Sequence, residues 1–337
     1  MKMAVMGAGS LGTIVGALLN KGGYDVDLID INRDHVKALN IHGARIKGLM
    51  ELVQPVRALT PDEMTEDYDI IFYLTKTTQN KSALKSVQGN LKSDGVLVCM
   101  QNGIPEDAAA QAIGKKRVMG CTVGWGATWV EPGVSKLTSE KENMTFDVGE
   151  LDGQQTKRLD KIVEILKAAG FPEKTTNLMG IRWTKLTINA AFSTMSAIVA
   201  GTYGDVLDNS EALCCSAHIW RESLAVARAA GITPEPFQGF DIRSLDFGTP
   251  EELEKKLPAF AKLITPHRNI RTGMLYDIEA GREPEIEAFN GIICKRGKVM
   301  GVPTLVNDQA VDIVRGMWEK RYEFSPHNVE RIEIPIL

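Results

Sequence analysis

The chain has 337 residues, of which 44% are hydrophobic and 24% charged, with a formal net charge of -4. Its length suits two domains of roughly 150 residues each, and its composition excludes disordered, collagen-like and fibrous classes. The basic residues are scattered rather than massed, which argues against a nucleic-acid partner. Five cysteines (Cys99, Cys121, Cys214, Cys215, Cys294) are an odd count with no CxxC and no paired Cys/His spacing. They indicate neither a disulfide framework nor a metal site, and a reducing cytoplasm is expected.

The opening MKMAVMGAGS runs straight into a strand and a glycine turn without a signal-peptide core, so the mature chain is expected to begin at Met1. Met3 to Met6 is a short apolar run, followed by Gly7-Ala8-Gly9-Ser10-Leu11-Gly12 and by Thr13 to Asn20, whose spacing suits a helix. Strand, glycine turn and helix in that order point to a dinucleotide, although glycines also mark ordinary tight turns. The next strand, Asp25 to Ile29, ends at Asp30, where a carboxylate accepts hydrogen bonds from an adenosine ribose. Asp30 serves equally as the N-cap of a helix over Asn32 to Leu39. Three further apolar runs, Asp69 to Leu74, Val96 to Met100 and Val118 to Val123, complete a parallel-sheet pattern. Doubly wound sheets bind ligands at the carboxyl ends of strands, which singles out Thr75-Lys76 and Gln101-Asn102-Gly103. Lys76 reads also as a solvated loop lysine, and Asn102-Gly103 as a turn pair. From Gly133 to Gly149 the pattern predicts antiparallel strands closing the sheet.

A helix over Gln154 to Ala169 and the breaker Gly170-Phe171-Pro172 precede a boundary near Asn177 to Gly180. This divides a dinucleotide-binding domain, 1–178, from a helical domain, 179–337. Leu186 to Gly204 is the longest uncharged stretch, but its polar residues mark a buried helix rather than a membrane span. Within Ile181 to Ala200, Lys185, Asn189 and Ser193 are each four residues apart and stack on one helix face. Such a stripe costs free energy unless it faces a wet cleft or a ligand. Lys185 alone reads also as a snorkelling surface lysine, and Asn189 as a partner for neighbouring backbone. Glu283, Glu285 and Glu287 fall at an apparent helix start, where the dipole favours acids for structural reasons alone. None of the five histidines receives a chemical role.

Six pieces in order resemble the ketopantoate reductases (2-dehydropantoate 2-reductases) along nearly the whole chain. They are GAGSLG at Gly7 to Gly12, Lys76, QNG at Gln101 to Gly103, GATWVEPG at Gly126 to Gly133, RWTKLTINAAFS at Arg182 to Ser193, and MLYDIEAGREPEIEAFNG at Met274 to Gly291. The resemblance implies an α/β Rossmann-type dinucleotide-binding domain, then an all-α domain of the 6-phosphogluconate dehydrogenase-like kind, with the substrate in the cleft between them. It implies Lys185 as the general acid, Asn189 and Ser193 as substrate contacts, and Glu285 on the substrate hydroxyl and close to the cofactor. Asn102 is implied beside the nicotinamide and the reacting carbonyl. Cofactor contacts then fall on Gly7, Ala8, Gly9, Ser10, Leu11, Gly12, Asp30, Thr75, Lys76, Asn102 and Glu285. The resemblance also admits a homodimer.

Departures from the family pattern refine these expectations. Ile31, preceded by Asp30, stands where many members place an arginine for the 2′-phosphate of NADP, so NAD(H) is expected in preference to NADP(H). Ser193-Thr194 replaces an asparagine and proline, Gly273 replaces a substrate-contacting serine, and Thr233 to Leu263 is longer than usual. The expected reaction is reduction of a 2-keto acid to a 2-hydroxy acid, 2-dehydropantoate to pantoate first and another branched or substituted 2-keto acid second. An opine-type dehydrogenase, expected to use a histidine-aspartate pair, and a non-catalytic dinucleotide-sensing protein are the competing readings.

Overall fold

Short strands that are apolar on both faces need helices on both sides, and the first half of the chain is built accordingly. The computed structural model describes residues 1–336 and separates into two compact units, Met1–Leu178 and Met179–Leu337. The first unit runs β1 (Met3–Met6), α1 (Ser10–Lys21), β2 (Val26–Ile29), α2 (Arg33–His42), β3 (Ala44–Gly48), β4 (Leu52–Gln54) and β5 (Arg57–Leu59). It continues through β6 (Tyr68–Tyr73), α3 (Asn80–Asn90), β7 (Leu91–Cys99), α4 (Glu106–Ile113) and β8 (Val118–Val123). β9 (Ala127–Glu131), β10 (Val134–Leu137), β11 (Thr145–Glu150), α5 (Lys157–Leu166) and β12 (Phe171–Lys174) close it.

The main sheet has the order β12-β11-β8-β7-β6-β1-β2-β5. From β5 to β8 every pairing is parallel, and β11 returns antiparallel to β8. The chain steps outward from β1 to β2 and β5, then crosses back to β6, so the winding reverses between β1 and β6. That reversal is the switch point at which doubly wound sheets hold ligands. Side-chain alternation divides the core into two layers. Met3, Val5, Ile70 and Phe72 pack with residues of α1 and α5, while Ala4, Met6, Ile71 and Tyr73 pack with residues of α3 and α4.

Two local expectations are corrected. The helix after β2 is capped by Asn32, whose Oδ1 accepts from the N–H groups of Asp34 and His35 at 3.1 Å each, and not by Asp30. Within Gly133 to Gly149 only β11 joins the main sheet; β10 pairs antiparallel with β9 and parallel with β3 in a separate four-stranded sheet, β4-β3-β10-β9. Ala44, Ile46 and Leu137 of that small sheet belong to the α1-side core, which accounts for its burial on one face only.

Among the described residues, the second unit is built from helices, with two isolated β-bridges and no strand: α6 (Leu178–Ile188), a π-turn over Asn189–Ser193, α7 (Thr194–Ile198), α8 (Tyr203–Asp208) and α9 (Ser210–Ala229). α10 (Pro250–Ile264), α11 (Gly273–Glu279), α12 (Asn290–Met300) and α13 (Leu305–Trp318) follow. The expected single helix over Ile181 to Ala200 is therefore interrupted, and it ends at Ala200 with φ 52°. α9 is the central element, packed against the π-turn, α8, α10, α12 and α13. The long Thr233 to Leu263 segment is tied to it: Trp220 Nε1 donates to Ile242 O at 3.1 Å, and the Trp220 and Phe260 rings meet edge-on. Among the described residues, no helix is long and apolar enough to cross a membrane.

Candidate active site

In the first unit, the expected cofactor residues come together at one edge of the sheet because β1, β2, β6 and β7 all end there. Gly7 turns the chain out of β1 with φ +94°, a conformation that side chains rarely adopt. A Cβ on Gly7 would stand 2.5 Å from Thr75 N, so the turn after β1 lies directly against the loop after β6. A Cβ on Gly12 would stand 2.0 Å from Gly7 O, which closes the helix down onto the turn. A Cβ on Gly9, by contrast, meets nothing within 4 Å.

Two glycines are thus required by packing and the third leaves open space, the arrangement that lets a pyrophosphate approach backbone. The N–H groups of Gly7 and Ala8 are used by Ile29 O, at 2.8 and 3.0 Å. The cradle therefore falls to the N–H groups from Gly9 to Gly12, at the end of α1 where intrahelical partners are lacking. The first turn of α1 holds no acidic residue and Gly9 supplies no side-chain cap, so charge and space both suit an anion.

Asp30 follows β2, half-buried, with Oδ1 accepting from Asn32 N at 2.9 Å. Burial pushes its carboxyl above the ordinary aspartate range, with the Asn32 N–H pulling the other way. Ile31 beside it is 68% exposed and carries no charge to offset the carboxylate. Arg33, the nearest cation along the chain, pairs with Asp62 at 2.9 Å.

On the other side of the switch point, Gln101 is buried and does work that its sequence context does not announce. Its Nε2 donates to Thr75 O at 2.7 Å and to Asn80 Oδ1 at 2.9 Å, and Tyr73 Oη donates to the same Asn80 Oδ1. The loop carrying Thr75 and the exposed Lys76 is thereby fastened to the loop carrying the half-buried Asn102.

In the second unit, Lys185 and Asn189 are half-buried on the last turn of α6 and the first residue of the π-turn. Ser193 is buried at the end of that turn. Its Oγ lies 2.6 Å from Tyr203 Oη and donates to Asn189 Oδ1 at 3.4 Å, so the serine orients the asparagine despite the altered helical register. Desolvation pushes the Tyr203 pKa up to about 12 against the opposing pull of the Ser193 contact, which leaves the phenol a neutral hydrogen-bonding partner.

The π-turn has a buried clamp that sequence reading missed. Asn290 Nδ2 donates to Ala190 O at 3.2 Å and to Asn307 Oδ1 at 3.0 Å, while Thr194 Oγ1 donates to Asn290 Oδ1 at 2.5 Å. Asn307 Nδ2 in turn donates to the buried Glu222 carboxylate at 2.7 Å. Asn290 opens α12 two residues after the turn Glu285–Ala288, so the clamp ties the start of that helix to the π-turn. Of the three acids there, Glu287 is ion-paired with Arg315, Glu283 is exposed, and Glu285 is half-buried. Gly273 opens α11, which packs on α7, and a Cβ at Gly273 meets nothing within 4 Å.

A glycine cradle at the switch point of a doubly wound sheet, followed by an all-helical unit, defines the class: an NAD(P)-dependent oxidoreductase with a Rossmann domain and an all-α domain. Two family models refine it. "Ketopantoate reductase PanE/ApbA" matches residues 3–153 and "Ketopantoate reductase PanE/ApbA C terminal" matches residues 177–318, so the chain belongs to the ketopantoate reductase family. It is 29% identical over 318 residues to the 2-dehydropantoate 2-reductase of Archaeoglobus fulgidus, covering 94% of this chain and 97% of that one. The fold is also that of a PanE/ApbA family ketopantoate reductase from Ralstonia eutropha JMP134, with TM-score 0.80, 23% identity and coverage of 95% and 99% of the two chains. D-mandelate dehydrogenase, solved in a ternary structure with NADH and anilino(oxo)acetate, matches with TM-score 0.82, 23% identity and the same coverage.

Proposed function

We propose that the protein reduces a 2-keto acid to the 2-hydroxy acid, ketopantoate first among substrates, using NADH in preference to NADPH. The observation that carries the reading is the half-buried pair Lys185 and Asn189 at the junction of α6 with a clamped π-turn. π-turns inside helices concentrate at functional sites. A lysine and an amide held half out of water at such a turn suit a reaction that develops charge on a substrate oxygen.

A dinucleotide held in the glycine cradle would supply the hydride for the carbonyl carbon. Lys185 donates the proton to the developing alkoxide and, as a cation, stabilises its charge beforehand. Asn189, oriented by Ser193, and Glu285 hold the substrate's polar groups. In the first unit the Gly9–Gly12 amides hold the pyrophosphate, Asp30 accepts from the ribose hydroxyls, and Thr75, Lys76 and Asn102 line the nicotinamide side. A lysine with an amide and a carboxylate fits neither a dinucleotide sensor, which needs no proton donor, nor the histidine-aspartate chemistry of an opine-type enzyme.

Glycine at 273, where the resemblance implies a substrate-contacting serine, favours a second substrate class, other branched or substituted 2-keto acids. Both classes are tested by mixing the protein with NADH or NADPH and a panel running from ketopantoate to phenylglyoxylate, and following loss of nicotinamide absorbance. Failure to oxidise either cofactor with every member would overturn the proposal. The same proposal includes a cytoplasmic location, supported by an odd number of cysteines with no CxxC spacing, and a homodimer, tested by light scattering on the purified protein.

A further inference from the structure

We infer that His35 is a positioning residue for the dinucleotide: with Thr13 it locks the Ala8–Gly9 peptide so that the Gly9 N–H is turned toward the pyrophosphate. The inference rests on the reading of the glycine turn as a dinucleotide cradle and goes beyond it by naming what aims that cradle.

His35 lies on α2, 1% exposed, and reaches three separate elements. Its Nδ1 accepts from Gly133 N at 2.9 Å, in the tight connection between β9 and β10. Because a backbone N–H can only donate, Nδ1 carries no proton and the ring proton sits on Nε2. Nε2 lies 2.7 Å from Ala8 O and donates to it. Thr13 Oγ1, one turn into α1, donates to the same carbonyl at 2.6 Å and lies 3.2 Å from His35 Nε2. Ala8 O thus receives two donors from a buried cluster.

A trans peptide is planar, with its C=O and N–H pointing in opposite directions. Fixing Ala8 O toward His35 and Thr13 therefore turns the Gly9 N–H to the opposite side, away from the core. A glycine-rich turn needs such a lock, since the residue after Ala8 is one whose backbone has few steric preferences of its own. Electrostatic binding by amide dipoles depends on their being aimed before the ligand arrives, because reorienting them during binding costs free energy. The same ring ties the cradle to the β9–β10 turn, so the small sheet buttresses the phosphate site.

The two ring nitrogens can be tested separately, because asparagine places a polar atom near Nδ1 and glutamine places one near Nε2. H35N keeps an acceptor for Gly133 N and loses the donor to Ala8 O; H35Q does the reverse. Dissociation constants for NADH and for ADP-ribose are measured by calorimetry on the full-length protein, with melting temperature recorded alongside. Both variants are expected to melt lower than wild type. H35N is expected to bind both ligands about tenfold more weakly, and H35Q within about twofold of wild type. T13V, which removes the second donor to Ala8 O, should weaken binding severalfold and gives an independent reading where H35N does not fold, with T13S restoring affinity. Equal weakening in H35N and H35Q, in step with their melting temperatures, overturns the inference, as does wild-type affinity in H35N or T13V. Wild-type protein that binds neither ligand overturns the cradle reading itself and this inference with it.

Discussion

Gly9→Ala separates the fold of the first unit from its cradle. Gly9 has φ -67° and ψ -149°, a backbone outside the regions alanine favours, but the added Cβ meets no protein atom within 4 Å. The unit should therefore keep its fold, at the cost of some backbone strain and no clash. The methyl instead occupies the space through which a pyrophosphate reaches the amides of α1. Displacing the phosphate from one such amide forfeits a charge-assisted hydrogen bond of about 1.5–3 kcal/mol. In affinity this is roughly 10- to 150-fold. Gly12→Ala is the contrast, because its Cβ would stand 2.0 Å from Gly7 O and backbone must shift. Overpacking of that kind costs about 1–3 kcal/mol, a fall of roughly 2–12 °C in melting temperature for a unit of this size. Calorimetric titration with NADH and NADPH, run beside thermal melts, reads both effects. A Gly9→Ala protein that keeps its melting temperature and binds dinucleotide within twofold of wild type would refute the cradle.

Lys185→Ala should lower kcat by roughly 10²- to 10⁴-fold, the span of a positioned proton donor, and leave the dissociation constant for NADH little changed; activity within threefold removes the lysine from the chemistry. Glu285→Gln should depress kcat/KM strongly, whereas Glu287→Gln, which breaks only an exposed pair with Arg315, should leave steady-state rates near wild type; equal losses would show that the choice among the three acids is wrong. A charged Asp30 meets the extra phosphate of NADPH as a like charge, at a cost of about 1–3 kcal/mol or roughly tenfold to a hundredfold in kcat/KM. Because burial raises the Asp30 pKa, that preference for NADH is full at neutral and alkaline pH and fades as pH falls toward the raised value, while Asp30→Asn should flatten the profile; a preference for NADPH in the wild type sinks the argument. Asn290→Ala leaves Asn307, Thr194 and Ala190 O short of a partner, at about 1–3 kcal/mol in stability, and should lower kcat at temperatures where the protein is still folded; an unchanged kcat detaches the π-turn from catalysis.

How far the sequence could be read depended on whether a feature was decided locally. The central strands are buried on both faces, so Met3–Met6, Tyr68–Tyr73 and Val118–Val123 are written as continuous apolar runs. β4 and β5 are three residues each, and β9 is exposed over most of its length, which gives no period to recognise. The glycine turn was legible because two of its glycines answer to contacts within a dozen residues or to the adjoining strand. The π-turn was not, since nothing in Asn189–Ser193 differs in type from ordinary helix, and its Ala190 carbonyl is bonded to Asn290, 100 residues away. Likewise three closely spaced glutamates carry no ranking until Arg315 takes one of them, and a lone histidine shows no role until Gly133, 98 residues away, donates to it. In this chain the residue types proposed to carry the chemistry are written locally, while hydrogen bonds between distant segments hold the turns that bear them. A substitution at Asn290, Gln101 or His35 should therefore disturb the reaction without removing any group that touches the substrate.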